Sequence, residues 1–334
     1  MSVAATLRRC ESFSHFTPSQ LDHLASCISR TYFPAGAAIV HQGDPTHDAY
    51  VIERGEVRIQ RDTPYGVFAL AYLGENDLFG ETAFVDRQGW SGDVVTTVES
   101  DLLALNPDAL GEPTASDQRL SVALYWAFWK SLSKKLRQTN ENLTRFFTET
   151  GKPPTTPPVF ASDIGPDFRI DLEAKRKLFV EQKLSSLEIN FLSSLSREVM
   201  LRPGEVIFRE GEPGDLMYVV LEGRVMISKY IPGAGEEALA FLERGDYFGE
   251  MALIDKQPRS AKAAAHGDGA VVLAIPTDVL EGILDIQKLS SLRLLKLLCA
   301  LVARRLRELD DKLAGWFILA GGHSGGHGGV PPPA

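Results

Sequence analysis

Read for its alternation of apolar and polar positions, the chain runs through the same series of elements twice. Short amphipathic helical leads, SQLDHLASCIS from Ser19 and LEINFLSSLS from Leu187, each precede brief apolar runs broken by glycines. In residues 33–59 (FPAGAAIVHQGDPTHDAYVIERGEVRI) and 201–227 (LRPGEVIFREGEPGDLMYVVLEGRVMI) the glycines have the spacing of tight β turns that need positive φ. Short strands so spaced predict a small barrel or jelly roll. A Gly-Glu pair then opens a predicted helix, at Gly80-Glu81 and again at Gly249-Glu250. More strand follows, and a long helix closes each series. In the first closing helix Tyr125, Trp129, Leu132, Leu136, Leu143 and Phe146 keep a seven-residue rhythm that only Thr139 interrupts. In the second, Val302, Leu306, Leu309, Leu313 and Trp316 keep the same rhythm. Such stripes predict helices packed on other helices, within the chain or across a homodimer.

The two series are copies of one another. Gly36 aligns with Gly204, Gly43 with Gly211, Tyr50 with Tyr218, Gly55 with Gly223 and Val57 with Val225. Further on, Phe79-Gly80-Glu81 aligns with Phe248-Gly249-Glu250 after a one-residue slip of the offset. A repeat of this length predicts a duplicated domain. The expected fold is mainly β with flanking helices (α+β): two β-roll domains, jelly-roll-like and cupin-like double-stranded, each closed by helices. Boundaries are expected at 12–148 and 171–318. Pro153, Pro154, Pro157 and Pro158 make residues 149–170 a semi-rigid connector. The Gly- and Pro-rich stretch 319–334 is expected to be a disordered tail, in which His323 and His327 are either plain tail residues or ligands for a soft metal.

Composition narrows the classes. A net charge of −9 lacks the basic footprint of a general nucleic-acid binder. No secretory pattern opens the chain, and the longest apolar stretches, such as Leu297 to Val302, fall far short of a membrane span. Cys10, Cys27 and Cys299 have neither pairing nor metal spacing. These features predict a cytoplasmic protein with no membrane insertion and no metal site.

The densest chemistry lies in Phe-Gly-Glu-Met-Ala-Leu-Ile-Asp-Lys-Gln-Pro-Arg-Ser-Ala, residues 248–261. Free N–H groups at a helix start bind anions, arginine grips phosphate with a charge-assisted fork, and a carboxylate accepts from a sugar hydroxyl. Together they suit a ribose carrying one phosphodiester. The stretch resembles the phosphate-binding cassette of cyclic nucleotide-binding domains, whose usual form is FGE-x-A-L-x(4)-P-R-x-A. The glycine pattern of both copies likewise resembles the β-roll of that family. The resemblance implies that Glu250 accepts from the ribose 2′-hydroxyl and Arg259 pairs with the exocyclic phosphate oxygens. It further implies that amides near Met251 and Ala252, with the Ser260 hydroxyl, complete the anion site, followed by Ala261, while Gly249 permits close approach. Trp316 and Phe317 are the candidates for a lid over the base. In the family the residue after the arginine bears on purine choice, and Ser260 leans toward cAMP over cGMP, although its hydroxyl can also meet a guanine edge. A cyclic dinucleotide is disfavoured, because one arginine answers one phosphate.

In the first copy the position of Arg259 is taken by Trp90, while Gly80 and Glu81 persist. An indole has a single neutral donor, and Asp93 adds charge of the wrong sign. Three readings stay open: a decayed site kept for packing, an altered ligand stacked on Trp90, or rescue by Arg87. No nucleophile–base pair or triphosphate loop points to an enzyme, so neither catalytic residues nor a cofactor are expected beyond the ligand, cAMP or cGMP. The leading expectation is a sensor that binds a cyclic mononucleotide in the second domain and signals by helix rearrangement to a separate protein partner. The alternatives are a ligand-independent scaffold and a kinase-type regulatory subunit. The last is disfavoured because Arg8-Arg9-Cys10-Glu11-Ser12 carries Glu11 where that class has a small residue.

Overall fold

The computed structural model describes residues 2–148, 172–184, 186–231, 235–278, 280, 284 and 291–319. The expected connector at 149–170, His323 and His327 lie outside the described residues. Contacts divide the chain into two units, residues 1–142 with 302–334 and residues 143–301.

The first unit contains a roll of two four-stranded antiparallel sheets. One has the order Ser29–Phe33, Ser100–Leu105, Ala49–Arg54, Leu78–Phe79; the other Ala38–Val40, Asp93–Thr96, Val57–Thr63, Gly66–Leu73. The inward positions of both sheets, among them Val40, Tyr50, Ile52, Val57, Phe79, Val94 and Leu102, form one core. Burying such side chains contributes about 1.5–3 kcal/mol each. The lead helix Pro18–Ser26 starts where the sequence signals it, with Thr17 and Gln20 capping one another's backbone.

In the second unit the same path forms one six-stranded antiparallel sheet. Val206–Phe208, Lys262–Pro276, Leu216–Ile231 and Gly235–Leu242 are neighbours in that order. Tyr247–Phe248 pairs with Leu216–Ile231, and Arg197–Leu201 with Lys262–Pro276. The first copy breaks its ladder at Gly55, whereas the second continues through register shifts at Val220/Glu222 and Gly223/Arg224. Gly223 has φ 73°, and a Cβ there would come within 2.2 Å of the Gly269 carbonyl oxygen. Only glycine permits that approach. The predicted β-roll architecture is thus realised twice.

Most positions of both stripes of the long helices are buried, with Tyr125 and Trp316 half-buried. In Gln118–Thr148, Trp129, Leu132, Leu136 and Leu143 are inside; the side chain of Phe146 lies outside the described residues. In the last helix, Leu292–Leu319, the buried stripe is Val302, Leu306, Leu309 and Leu313. The chain itself covers these positions. The sequence assigns the whole last helix to the second copy, with a boundary at 318. By its contacts the helix from Val302 onward goes with the first unit.

The three cysteines are free thiols. Cys10 donates to the Asn76 carbonyl at 2.7 Å, and burial pushes its thiol up to about 11, so it behaves as a packed hydrophobe rather than a nucleophile.

Candidate functional site

The site of the second unit is built where the strand Tyr247–Phe248 ends. Gly249 turns the chain in the left-handed region (φ 78°), and Glu250 stands at the N-cap position of the short helix Met251–Asp255 without a side-chain capping bond. A loop then brings the chain to Arg259, whose backbone is held on both sides. Its N–H donates to the Glu212 carbonyl at 2.8 Å, and its carbonyl accepts from Gly211 at 2.9 Å.

The Arg259 guanidinium lies inside the roll, 5% exposed. Nη1 donates to the Gly249 carbonyl at 2.9 Å and Nη2 to the Leu216 carbonyl at 2.7 Å. The guanidinium carbon sits 4.3 Å from the centre of the Phe208 ring and 6.0 Å from that of Tyr218. Nε is buried without a hydrogen-bond partner, and among the described residues no carboxylate lies within ion-pair distance. Burial pushes the guanidinium pKa down, opposed by Tyr218, Asp215, Glu250 and Glu212, and arginine remains charged throughout. A buried cation hydrogen-bonded to backbone carbonyls, with an orphaned Nε and no carboxylate in contact among the described residues, is electrostatically incomplete, and an anion would complete it.

The other predicted residues gather close by. Glu250 is buried, as are Met251, Ala252 and Ala261, and the Ser260 hydroxyl reaches Met251 Sδ at 3.7 Å. Phe317, a candidate for the lid, belongs to the first unit. It is 2% exposed and stacked on Phe68 of the first roll, with ring centres 4.8 Å apart. Trp316 precedes it on the same helix, half-buried.

The first copy shows what replaces the arginine. Trp90 makes the corresponding backbone bonds, N–H to the Asp44 carbonyl at 3.2 Å and carbonyl from Gly43 at 2.9 Å. Its ring fills the roll, 7% exposed, beside Tyr50 and Phe79, and its Nε1 donates to Thr46 Oγ1 at 3.1 Å. Glu81 is fully buried and accepts from Ser131 and from Lys135 of the long helix Gln118–Thr148. The rescue reading for Arg87 is overturned. That side chain is exposed and lies 5.2 Å over the Phe84 ring, because Arg87 ends the helix Glu81–Asp86 in a left-handed turn that points it outward. Of the three readings, packing around Trp90 is the one the geometry supports.

Sequence reasoning missed Phe208, Gly214 and the Leu216 carbonyl. A Cβ on Gly214 would lie 2.2 Å from Ala252 Cβ and 3.2 Å from the guanidinium carbon. A signal was present. Between the copies Gly214 aligns with Thr46 and Arg259 with Trp90, so a small residue accompanies the arginine and a hydrogen-bond acceptor accompanies the indole.

Among the described residues, no cluster of three or more His, Cys, Asp or Glu could hold a metal ion, and no helix is long and apolar enough to cross a membrane. A family model described as the cyclic nucleotide-binding domain matches residues 30–116 and 198–287. The chain is 34% identical over 130 residues to the cyclic AMP receptor protein of Thermus thermophilus, covering 39% of this chain and 58% of that protein. It is 24% identical over 279 residues to the cGMP-dependent protein kinase egl-4 of Caenorhabditis elegans, covering 82% of this chain and 29% of the kinase. The chain therefore spans less than two thirds of the length of these relatives. Among solved structures, the regulatory domain of Toxoplasma gondii PKA with cAMP is 20% identical, with a TM-score of 0.32, covering 87% of this chain and 92% of that one.

Proposed function

Because the chain belongs to the cyclic nucleotide-binding domain family, with that domain present twice, we propose that its second roll is the sensor and binds one cyclic mononucleotide. The observation that carries this reading is the buried Arg259 guanidinium, which among the described residues has no ion-pair partner and an orphaned Nε. A phosphodiester supplies the missing anion, and the nearby Glu250 offers a carboxylate for a ribose hydroxyl. Ser260 favours cAMP over cGMP, as the sequence resemblance implies. The output is a helix rearrangement read by a separate protein partner. In this reading the paired Glu and Arg are binding groups.

The first roll does not share this activity, since Trp90 fills the phosphate position and Glu81 is committed to Lys135. Titration calorimetry of the whole chain with cAMP and with cGMP tests both statements. The expected result is one site per chain with tighter binding of cAMP. Two sites would contradict the assignment of the first roll. No heat with either nucleotide would remove the sensor reading in favour of a ligand-independent scaffold.

Gly214 gives a finer check. Gly214→Thr imports the first copy's residue and forces Ala252 and the guanidinium apart, overpacking that costs about 1–3 kcal/mol. The expected outcome is weakened nucleotide binding by the same calorimetric readout. Unchanged affinity would mean that the guanidinium is not what holds the ligand.

A further inference from the structure

The last helix carries a charged fork, a carboxylate and a ring that all meet the first roll. Arg307 donates through Nε to Asp86 Oδ2 at 2.6 Å and through Nη2 to Asp86 Oδ1 at 3.1 Å, while Nη1 donates to the Gly89 carbonyl at 2.9 Å. Asp311 accepts from Arg61 Nη2 at 2.6 Å, and Phe317 stacks on Phe68. Asp86 ends the helix Glu81–Asp86 and Gly89 precedes Trp90. The gripped segment is thus the first copy's counterpart of the loop that leads to Arg259 in the second.

We propose that the first roll has exchanged a nucleotide for a segment of its own chain: the loop around Asp86–Gly89 is a docking seat for residues 302–319, and Arg307 is the residue that recognises it. The loop that would present an arginine to a phosphate here presents a carboxylate and a carbonyl to an arginine from outside the roll. The pair is largely withdrawn from water, with side chains 15% and 10% exposed. Buried ion pairs contribute little net stability, and their best-attested use is to specify one register or to act in a switch. A two-toothed Arg–carboxylate fork provides that geometric selectivity. The buried stripe Leu306–Leu309–Leu313 would accept many apolar neighbours, whereas the fork accepts one. Residues 292–301 of the same helix belong to the second unit, where the Leu294 N–H donates to Glu188 at 3.0 Å. One continuous helix therefore carries the seat's ligand at one end and belongs to the proposed sensor unit at the other.

The test is hydrogen–deuterium exchange followed by mass spectrometry on the ligand-free full chain, comparing Arg307→Ala, Asp86→Ala and the double variant. Each single change is expected to speed exchange in residues 303–319 by about tenfold or more, because it strands one partner of a buried pair. The double variant is expected to exceed neither single by much, as for residues acting through one contact. Arg307→Lys, which keeps the charge but loses the fork, should restore protection only in part. Strands 197–201 and 216–231 serve as the folding control and should exchange as in the parent. Unchanged exchange in 303–319, additive effects of the two singles, or equal loosening of the control strands would each overturn the proposal. No nucleotide enters the experiment, so a chain that binds neither cAMP nor cGMP would sink the sensor reading and leave this result standing.

Discussion

Arg259→Ala is expected to abolish measurable nucleotide binding at working concentrations while leaving the fold in place. Removing one partner of a buried, hydrogen-bonded charge pair costs about 2–5 kcal/mol, which corresponds to a loss of roughly 30- to several-thousand-fold in affinity. Stability should respond far less. The truncation gives up hydrogen bonds to the Gly249 and Leu216 carbonyls and the packing on Phe208, but it also relieves the burial of a charge whose Nε has no partner. Those contributions oppose one another and are similar in size. Calorimetry together with a thermal melt separates the two quantities. Retained affinity in the variant would show that the phosphate is held by something other than this guanidinium.

Trp90→Ala is expected to do the reverse. At the corresponding backbone position, the indole is part of the core formed with Tyr50, Ile52, Phe79 and Val94. Truncating a buried tryptophan costs about 3–5 kcal/mol, which lowers the melting temperature of a unit of this size by roughly 6–20 °C. Part of that loss is specific to the site: the Gly80 Cα is shaped around the ring, since a Cβ there would meet the indole at 2.7 Å. Nucleotide stoichiometry should stay at one per chain. A Trp90→Ala protein that melts like the parent would argue that the ring is a replaceable ligand platform. A second binding event in that variant would show that packing alone had closed the first roll. One position in the repeat therefore holds a buried cation in one copy and a packed indole in the other.

Much of this was legible before any coordinates. The turn glycines and the apolar runs between them are local signals, governed by backbone sterics and by the two-residue period of a strand. Their recurrence in a second copy gave each signal an independent check. The residue types at 249, 250 and 259, set against 80, 81 and 90, also marked the exchange of a cation for an indole between the copies. The surface that receives Trp316 and Phe317 was not legible in this way. Trp316 and Phe317 follow the right helix, but an aromatic near a chain end carries no information about which surface receives it, and Phe317 rests on Phe68. Arg87 failed as a rescue for a related reason. Its distance in sequence from Gly80 looked serviceable, yet the left-handed turn that ends its helix turns it toward solvent.

By itself the sequence determined the duplicated roll, the turns that build it and the difference between a cationic and an indole interior, because each depends on neighbours within a few residues or on side-chain identity alone. Tertiary structure decided where the freely rotating groups go. Glu81 is taken by Lys135 and Ser131 across some fifty positions of sequence, and Arg259 folds onto the carbonyls of Gly249 and Leu216. It also decided the ownership of the last helix. A heptad stripe states that a helix face will be buried, but the surface that buries it is chosen by complementary charge and shape. Here that choice was made by Asp86 and Arg61, more than two hundred residues away in the chain.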